Sequence, residues 1–216
     1  AQHFNASDAP AMMGYSTYKT RTQLMHEMHT GIAPEVDPAT QRRFDEGHRA
    51  EELARPLACE IVGSELYPVT GTEGKLSASF DGLTMAEDTA FEHKLLNESL
   101  SYTPWDEGNG FHLPAQYRAQ MEQQLMVSGA DRVLFMASKW EGGNLIEERH
   151  CWYASDPKLR HDIVQGWAQF AVDLANYVPV EVAQPATAAP VMDLPSVYVN
   201  VTGSLTVKDN LSWFDV

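Results

Sequence analysis

Apolar and polar positions alternate with a period of two through Leu76–Phe80, and Thr89–Leu96 reads as a second strand-like stretch. This predicts two strands, with a turn expected at Asp81-Gly82 and a short polar interruption between them. In the second strand, Ala90, Glu92 and Lys94 share one face, while Phe91, His93 and Leu95 share the other. A further strand is expected near Glu65–Thr70, and Arg132–Trp140 with Asn144–Ala154 reads as a hairpin turning through Glu141-Gly142-Gly143. Helical spacing predicts helices from about Lys19 to Thr30, Ala39 to Glu60 and Pro114 to Ser128, and from Pro157 to about Tyr177. A short helix is expected after Ser7 as its N-cap, with Asp8 in the first turn and Gly14 at its end. The segment Asn97–Phe111 is rich in Gly, Ser, Pro and Asn and reads as a loop with exposed Trp105 and Phe111.

Several of these elements carry chemistry. On the Ala39–Glu60 helix, Phe44, Gly47, Glu51, Ala54 and Ala58 form one stripe, so Glu51 stands on an otherwise apolar line. An inward carboxylate is costly unless it is paired or bound to a metal. Its neighbour Glu52 reads as an ordinary solvated acid. On the Pro114–Ser128 helix, Tyr117, Gln120 and Gln124 form one stripe, beside Met121, Leu125 and Ser128. At the strand pair, Glu92 and Lys94 lie side by side next to Asp81. Two carboxylates and an ammonium in that arrangement suit Mg²⁺ or Mn²⁺, with the lysine orienting or deprotonating an attacking water. Taken singly, Glu-x-Lys is a common surface ion pair and Asp-Gly a common plain turn. His26 and His29 lack a third ligand and the longer zinc-protease spacing, and read as surface residues.

Composition narrows the picture. The 216 residues, 44% apolar, are enough for one substantial domain with a real core. There is no apolar run of about 18 residues, hence no membrane span, and no signal-peptide core at the N-terminus. Cys59 and Cys151 fit a reducing cytosol and read as small buried hydrophobes. A net charge of −15 opposes broad phosphate attraction, leaving a narrow basic channel or a metal-charged site as the routes to a nucleic acid. From Val178 the chain turns Pro/Ala-rich and reads as a linker, followed by a strand-like stretch over Ser196–Val207. The expected organisation is thus a domain over residues 1–178, then a linker and tail over 179–216.

The segments ASDAPAMMGYSTYKT, TGIAPEV, GHRAEE, SASFDGL, FEHK and AQYRAQMEQQLMVSGA resemble, in order and spacing, the phage lambda exonuclease-like family, also called YqaJ-type viral recombinases. The similarity runs from about Ser7 to Tyr177. Asp-Gly-Leu followed 11 residues after its Asp by Glu-x-Lys resembles the PD-(D/E)xK nuclease core, with Phe80 where that motif has Pro. The resemblance implies an α/β fold with a restriction-endonuclease-like core: a central mixed β-sheet flanked by helices. It also implies roles. Glu51, Asp81 and Glu92 would be metal ligands, joined by the backbone carbonyl of His93, whose side chain faces away. Lys94 would position or activate the nucleophilic water, Gln120 would lie near the site as part of the third motif, and Ser7 would sit close to a 5′-phosphate. In three places the chain departs from the family pattern: Glu122 replaces a frequent Gln, no carboxylate stands among Tyr67–Thr72, and an Arg that precedes the SDA motif would fall before Ala1.

The function implied is a Mg²⁺-dependent 5′-to-3′ exonuclease on one strand of double-stranded DNA, using two ions about 4 Å apart, with Mn²⁺ as a substitute. The family further implies a ring-shaped homotrimer on DNA ends, a single-strand annealing protein as partner in recombination, and residence in the cytoplasm of a bacterial host, encoded by a phage or prophage. The alternatives are an endonuclease on the same core, which would cut a closed circle, and a non-catalytic DNA-binding or assembly module.

Overall fold

A computed structural model describes residues 3–105 and 109–179 of the chain. The linker and strand expected beyond Val180 lie outside the described residues. The elements are β1 (Phe4–Asn5), a 3-10 turn over Ala6–Asp8, α1 (Ala9–Met12), α2 (Arg21–Thr30), α3 (Pro38–Val62), β2 (Leu66–Glu73), β3 (Leu76–Thr84) and β4 (Thr89–Leu95). They continue with α4 (Glu98–Ser101), α5 (Ala115–Ser128), β5 (Arg132–Glu141), β6 (Asn144–Ala154) and α6 (Pro157–Ala175). The strands form one mixed sheet in the order β1-β3-β4-β5-β6, with β2 on the other edge of β3. β4 runs parallel to β5, while β3–β4 and β5–β6 are antiparallel. The expected fold class, a mixed sheet flanked by helices, is the one observed.

Both faces of the central strands are covered, which is why Val133–Ala137 is a continuous buried apolar run. On one face, α3 lays Ala54 and Ala58 against Phe91, Leu134 and Met136. On the other, Tyr117, Met121 and Leu125 of α5 meet Phe80, Ala90, Val133 and Phe135. Beyond α5, a second layer joins α1, α2 and α6 through Met12, Leu24, Ile163, Trp167 and Phe170. The two longest helices, α3 and α6, are capped at their starts by side chains. Asp37 accepts from Ala39 N and Thr40 N at α3, and Asp156 accepts from Lys158 N and Leu159 N at α6.

Four expectations are corrected. Asp81-Gly82 is not a turn: β3 continues through it with a bulge, Tyr67 facing Leu83 but Val69 facing Phe80, and the chain reverses at Met85–Asp88, where Thr84 Oγ1 donates to Asp88 Oδ1 at 2.6 Å. Gly82 is needed for close approach, because a Cβ there would stand 2.8 Å from Leu66 Cβ and 3.3 Å from Phe91 Cβ. Gly82→Ala is therefore expected to destabilise the fold by about 1–3 kcal/mol, as overpacking does. Denaturant unfolding would measure it, and an unchanged midpoint would refute the packing argument.

Ser7 is not the N-cap. Asn5 is, its side-chain oxygen accepting from Ser7 N, because the chain leaves β1 directly into the 3-10 turn. Trp105 is not an exposed loop side chain. It stacks on Phe135 at 5.8 Å and donates Nε1–H to the Leu100 carbonyl at 2.9 Å, anchoring a segment that contains α4. Finally, the α3 stripe divides. The core-facing line is Ala50, Ala54 and Ala58, whereas Phe44 is 50% exposed and, with Gly47 and Glu51, borders an open cleft.

Candidate active site

The site arises from a gap in the sheet. β2 pairs with β3 along its whole length. On the opposite edge, β1 pairs only with Leu76 and Ser77, and β4 only with Gly82 and Leu83. Between those contacts Ser79 and Asp81 have no strand partner on this edge among the described residues, and Ser77, two residues before Ser79 and so on the same edge, stands where the β1 contact ends. Buried carbonyls need donors. Side chains supply them: Gln123 Nε2 to Ser77 O at 3.1 Å, Gln124 Nε2 to Ser79 O at 3.1 Å, and Arg55 Nε to Asp81 O at 2.8 Å. The buried glutamines of α5 are thus substitutes for a missing strand.

The same gap brings the carboxylates together. Gly82 pairs with Phe91 as the last pair of the β3–β4 ladder, and just beyond it Asp81 and Glu92 come close enough for the charge of Glu92 to act on the Asp81 carboxyl. Glu92 is 1% exposed, a severe desolvation for a carboxylate. Gln120 Nε2 donates to its Oε1 at 2.7 Å, Gln124 Nε2 to its Oε2 at 2.6 Å, and the Lys94 ammonium to Oε1. Asp81 Oδ2 accepts the His93 N–H at 2.7 Å. The N–H and C=O of one strand residue point to the same side, so the His93 carbonyl faces the gap as well.

The electrostatics follow from this crowding. Burial, then the charge of Glu92, hold the Asp81 carboxyl well above the usual range, with Glu51 adding to the effect against Lys94 and the His93 N–H. For Lys94, burial works against the ammonium, but Glu92 and Asp81 outweigh it and raise its pKa, so it stays charged. The His93 side chain points to the opposite face, where Nε2 meets Ser138 Oγ at 2.7 Å. Burial, helped by Lys94, lowers its pKa to about 3, so it is a neutral packed ring, as its strand parity implied.

Glu51 enters from α3, at the wall of a cleft of about 690 Å³ that also reaches Asp81, Lys94, Gln120 and Ser7. Its Oε1 is held by Arg55 Nη2 at 2.6 Å. The structure brings Glu51, Asp81, Glu92, Lys94 and Gln120 together around the gap. Ser7 borders the same cleft, but its N–H and its hydroxyl both turn back to Asn5 Oδ1, each at 3.0 Å. Among the described residues, no three His, Cys, Asp or Glu side chains are arranged as a ready-made metal-holding group. The donor chemistry of Glu51, Asp81 and Glu92 nonetheless fits a hard divalent cation: all are oxygens, and the mutual repulsion recorded at Asp81 is what a cation would relieve.

Sequence reasoning missed two participants. Arg55 had a usable signal, standing four residues after Glu51 on the same helix face. Gln124 was visible only as a buried-side glutamine. The position of the family's second glutamine, Glu122, has left the site altogether. It is fully buried and accepts from Tyr153 OH, Ser155 Oγ, Asp156 N and Arg160 Nε, tying α5 to the start of α6. Cys59 and Cys151 form no disulfide, and Cys59 is only half-buried.

The fold resembles LHK-Exo, an alkaline exonuclease from Laribacter hongkongensis solved in complex with dAMP, at a TM-score of 0.61 and 20% identity, over 81% of this chain and 88% of that one. It also resembles a phage-related exonuclease from Haemophilus somnus 129PT at a TM-score of 0.54 and 14% identity, over 80% of this chain and 92% of that one. At such identities the likeness is one of fold alone. No curated protein matches the chain. The YqaJ-like viral recombinase domain matches it over residues 1–131, which takes in the gap, the cleft and every carboxylate around them. The chain therefore belongs to the YqaJ-like viral recombinase domain family.

Proposed function

We propose that this chain is a Mg²⁺-dependent exonuclease that degrades one strand of double-stranded DNA from its 5′ end. The family and the exonuclease names of its structural neighbours support a DNA exonuclease role. The observation that carries the reading is Glu92, buried and fixed by Gln120, Gln124 and Lys94, close to Asp81 at a sheet gap that opens into the cleft.

Asp81, Glu92 and the His93 carbonyl, with Glu51 from α3, would hold two divalent ions, Mg²⁺ or Mn²⁺. When bound, these ions neutralise phosphate charge and acidify a coordinated water. The chain's own residues do the rest. Gln120 and Gln124 prevent Glu92 from rotating away. Lys94, kept as an ammonium by its carboxylate neighbours, orients the attacking water and offsets charge at the phosphate, rather than removing a proton. Arg43 gives the cleft wall a cationic side chain inside a chain of net charge −15. Ser7, at the cleft margin, would meet a 5′-phosphate once its hydroxyl leaves Asn5. A homotrimeric ring around DNA ends and a single-strand annealing partner in phage-type recombination complete the reading, in the cytoplasm of a bacterial host. Among the described residues no helix is long and apolar enough to cross a membrane.

The test is digestion of linear duplex DNA labelled at the 5′ or the 3′ end, with and without Mg²⁺, beside a closed circle. Early metal-dependent release of the 5′ label as mononucleotide, with the circle intact, is expected. A cut circle would replace the exonuclease by an endonuclease, and no cleavage of either substrate would leave a DNA-binding module.

A further inference from the structure

Of the donors that fill the sheet gap, Arg55 is distinguished by what else it holds. Its Nε donates to the Asp81 carbonyl at 2.8 Å, while its Nη2 donates to Glu51 Oε1 at 2.6 Å. One rigid guanidinium therefore ties the helix that carries one cleft carboxylate to the strand residue that carries another. The two contacts are of different kinds: one satisfies a main-chain acceptor left by the departing strand, the other aims a side chain. Both Arg55 and Glu51 are only partly exposed, at 21% and 20% of their side chains, so solvent does not dissolve the pair. With Oε1 occupied by Arg55, Glu51 is left with Oε2 for the cleft.

We propose that Arg55 is a positioning residue that sets the place and the available oxygen of Glu51 relative to Asp81, and so sets the divalent-metal affinity of the cleft. The inference rests on the metal-site reading above and goes beyond it, because it assigns a role to a residue outside the ligand set. The physical requirement is a planar fork, in which two N–H groups diverge toward an amide carbonyl and a carboxylate at once. A lysine carries the same charge, but its donors all leave one nitrogen and lack the planar fork that spans both acceptors. Residues that orient ligands in this way typically govern affinity by 10- to 100-fold, roughly, without touching the metal themselves.

The experiment is Mn²⁺ binding to the full chain in the absence of DNA, followed by calorimetry, for the wild-type protein, Glu51→Gln, Arg55→Lys, Arg55→Gln and the double variant Arg55→Lys/Glu51→Gln. Thermal melts recorded beside the titrations report folding. Arg55→Lys is expected to bind Mn²⁺ about 10- to 100-fold more weakly despite its retained charge. Arg55→Gln, which still offers a donor to the Asp81 carbonyl, is expected to bind as weakly, because Glu51 is released in both. The double variant should bind no more weakly than Glu51→Gln alone, since Arg55 acts through Glu51. In DNA digestion, the half-saturating Mg²⁺ concentration should rise in Arg55→Lys while the rate at saturating Mg²⁺ recovers to within a few-fold.

Arg55 variants that melt lower but keep wild-type Mn²⁺ affinity, next to a weakened Glu51→Gln, would overturn the proposal and leave the metal-site reading standing. A double variant weakened by the sum of the single effects would also overturn it. A wild-type chain that binds no Mn²⁺ would overturn both.

Discussion

In the Asp81→Asn protein, DNA degradation is expected to fall by about 10³-fold or more, while the metal-free protein becomes harder to unfold. The activity loss follows from removing a charged oxygen donor from the gap. Metal-mediated charge stabilisation amounts to several kcal/mol, and each ~1.4 kcal/mol is tenfold in rate. The stability gain follows from the environment of the carboxyl. Burial and the nearby Glu92 and Glu51 raise its folded pKa above the ordinary value of 3.8. An acid that holds its proton more tightly in the folded state than in the unfolded one opposes folding progressively as pH rises from about 3.8 toward the raised value, and fully above it. Asparagine removes that opposition, and its amide oxygen still accepts the His93 N–H. The variant should therefore melt above wild type at pH 8 without divalent metal, and the difference should vanish as pH falls toward 4 and below. Added Mg²⁺ should raise the wild-type midpoint and leave the variant unmoved. A variant that melts below wild type at pH 8, or that degrades DNA at near-normal rates, contradicts the assignment.

Lys94→Met is expected to cost activity on a similar scale, about 10²–10³-fold, with the opposite effect on stability. Glu92 is 1% exposed, and its oxygens are shared by Lys94, Gln120 and Gln124. Taking the ammonium away leaves a buried carboxylate with only neutral donors. Breaking a fully buried pair costs roughly 3–5 kcal/mol, but the Lys94 side chain is 30% exposed, so about 1–3 kcal/mol is the reasonable scale. Because the folded pKa of Lys94 is raised, its contribution is complete below about 10.5 and is lost only as pH climbs through the higher folded value. The wild-type to variant difference in denaturant midpoint should thus persist from pH 6 to 9, without shrinking, because loss of Lys94 also removes a charge that eases ionisation of Asp81. Lys94→Arg should recover much of the stability without the activity, since a forked guanidinium does not place a single donor at the same point. A Lys94→Met protein as stable as wild type would mean that the two glutamines alone are enough to hold Glu92.

These opposite signs separate kinds of residue that the sequence leaves ordinary, since Asp81 reads as a turn residue and Glu92 with Lys94 as a common surface ion pair. Strand parity was enough to place Glu92 and Lys94 together and to turn the His93 side chain away, because alternation is a local property of an extended backbone. Helix and strand positions were legible for the same reason, with Gly31, Gly63 and Gly129 ending helices in left-handed conformations at φ 69°, 74° and 74°. The inward Glu51 could be marked as needing a partner, although the partner could not be named.

What only the tertiary structure decided is everything that depends on separation in space. Asp-Gly has the chemistry of a turn, yet Gly82 lies inside a strand because Leu66 and Phe91 close in on it from either side. Glu122 stands two residues from Gln120 on one helix, and whether it faces the cleft or the α6 start depends on how α5 is rotated against the sheet. Arg55, Gln123 and Gln124 take their meaning from carbonyls that β4 abandons where it diverges from β3. The residues were identified by sequence, since periodicity and charge are carried by neighbours along the chain. The site was made by the fold, since a gap in a sheet is a relation between strands and exists nowhere in any one of them.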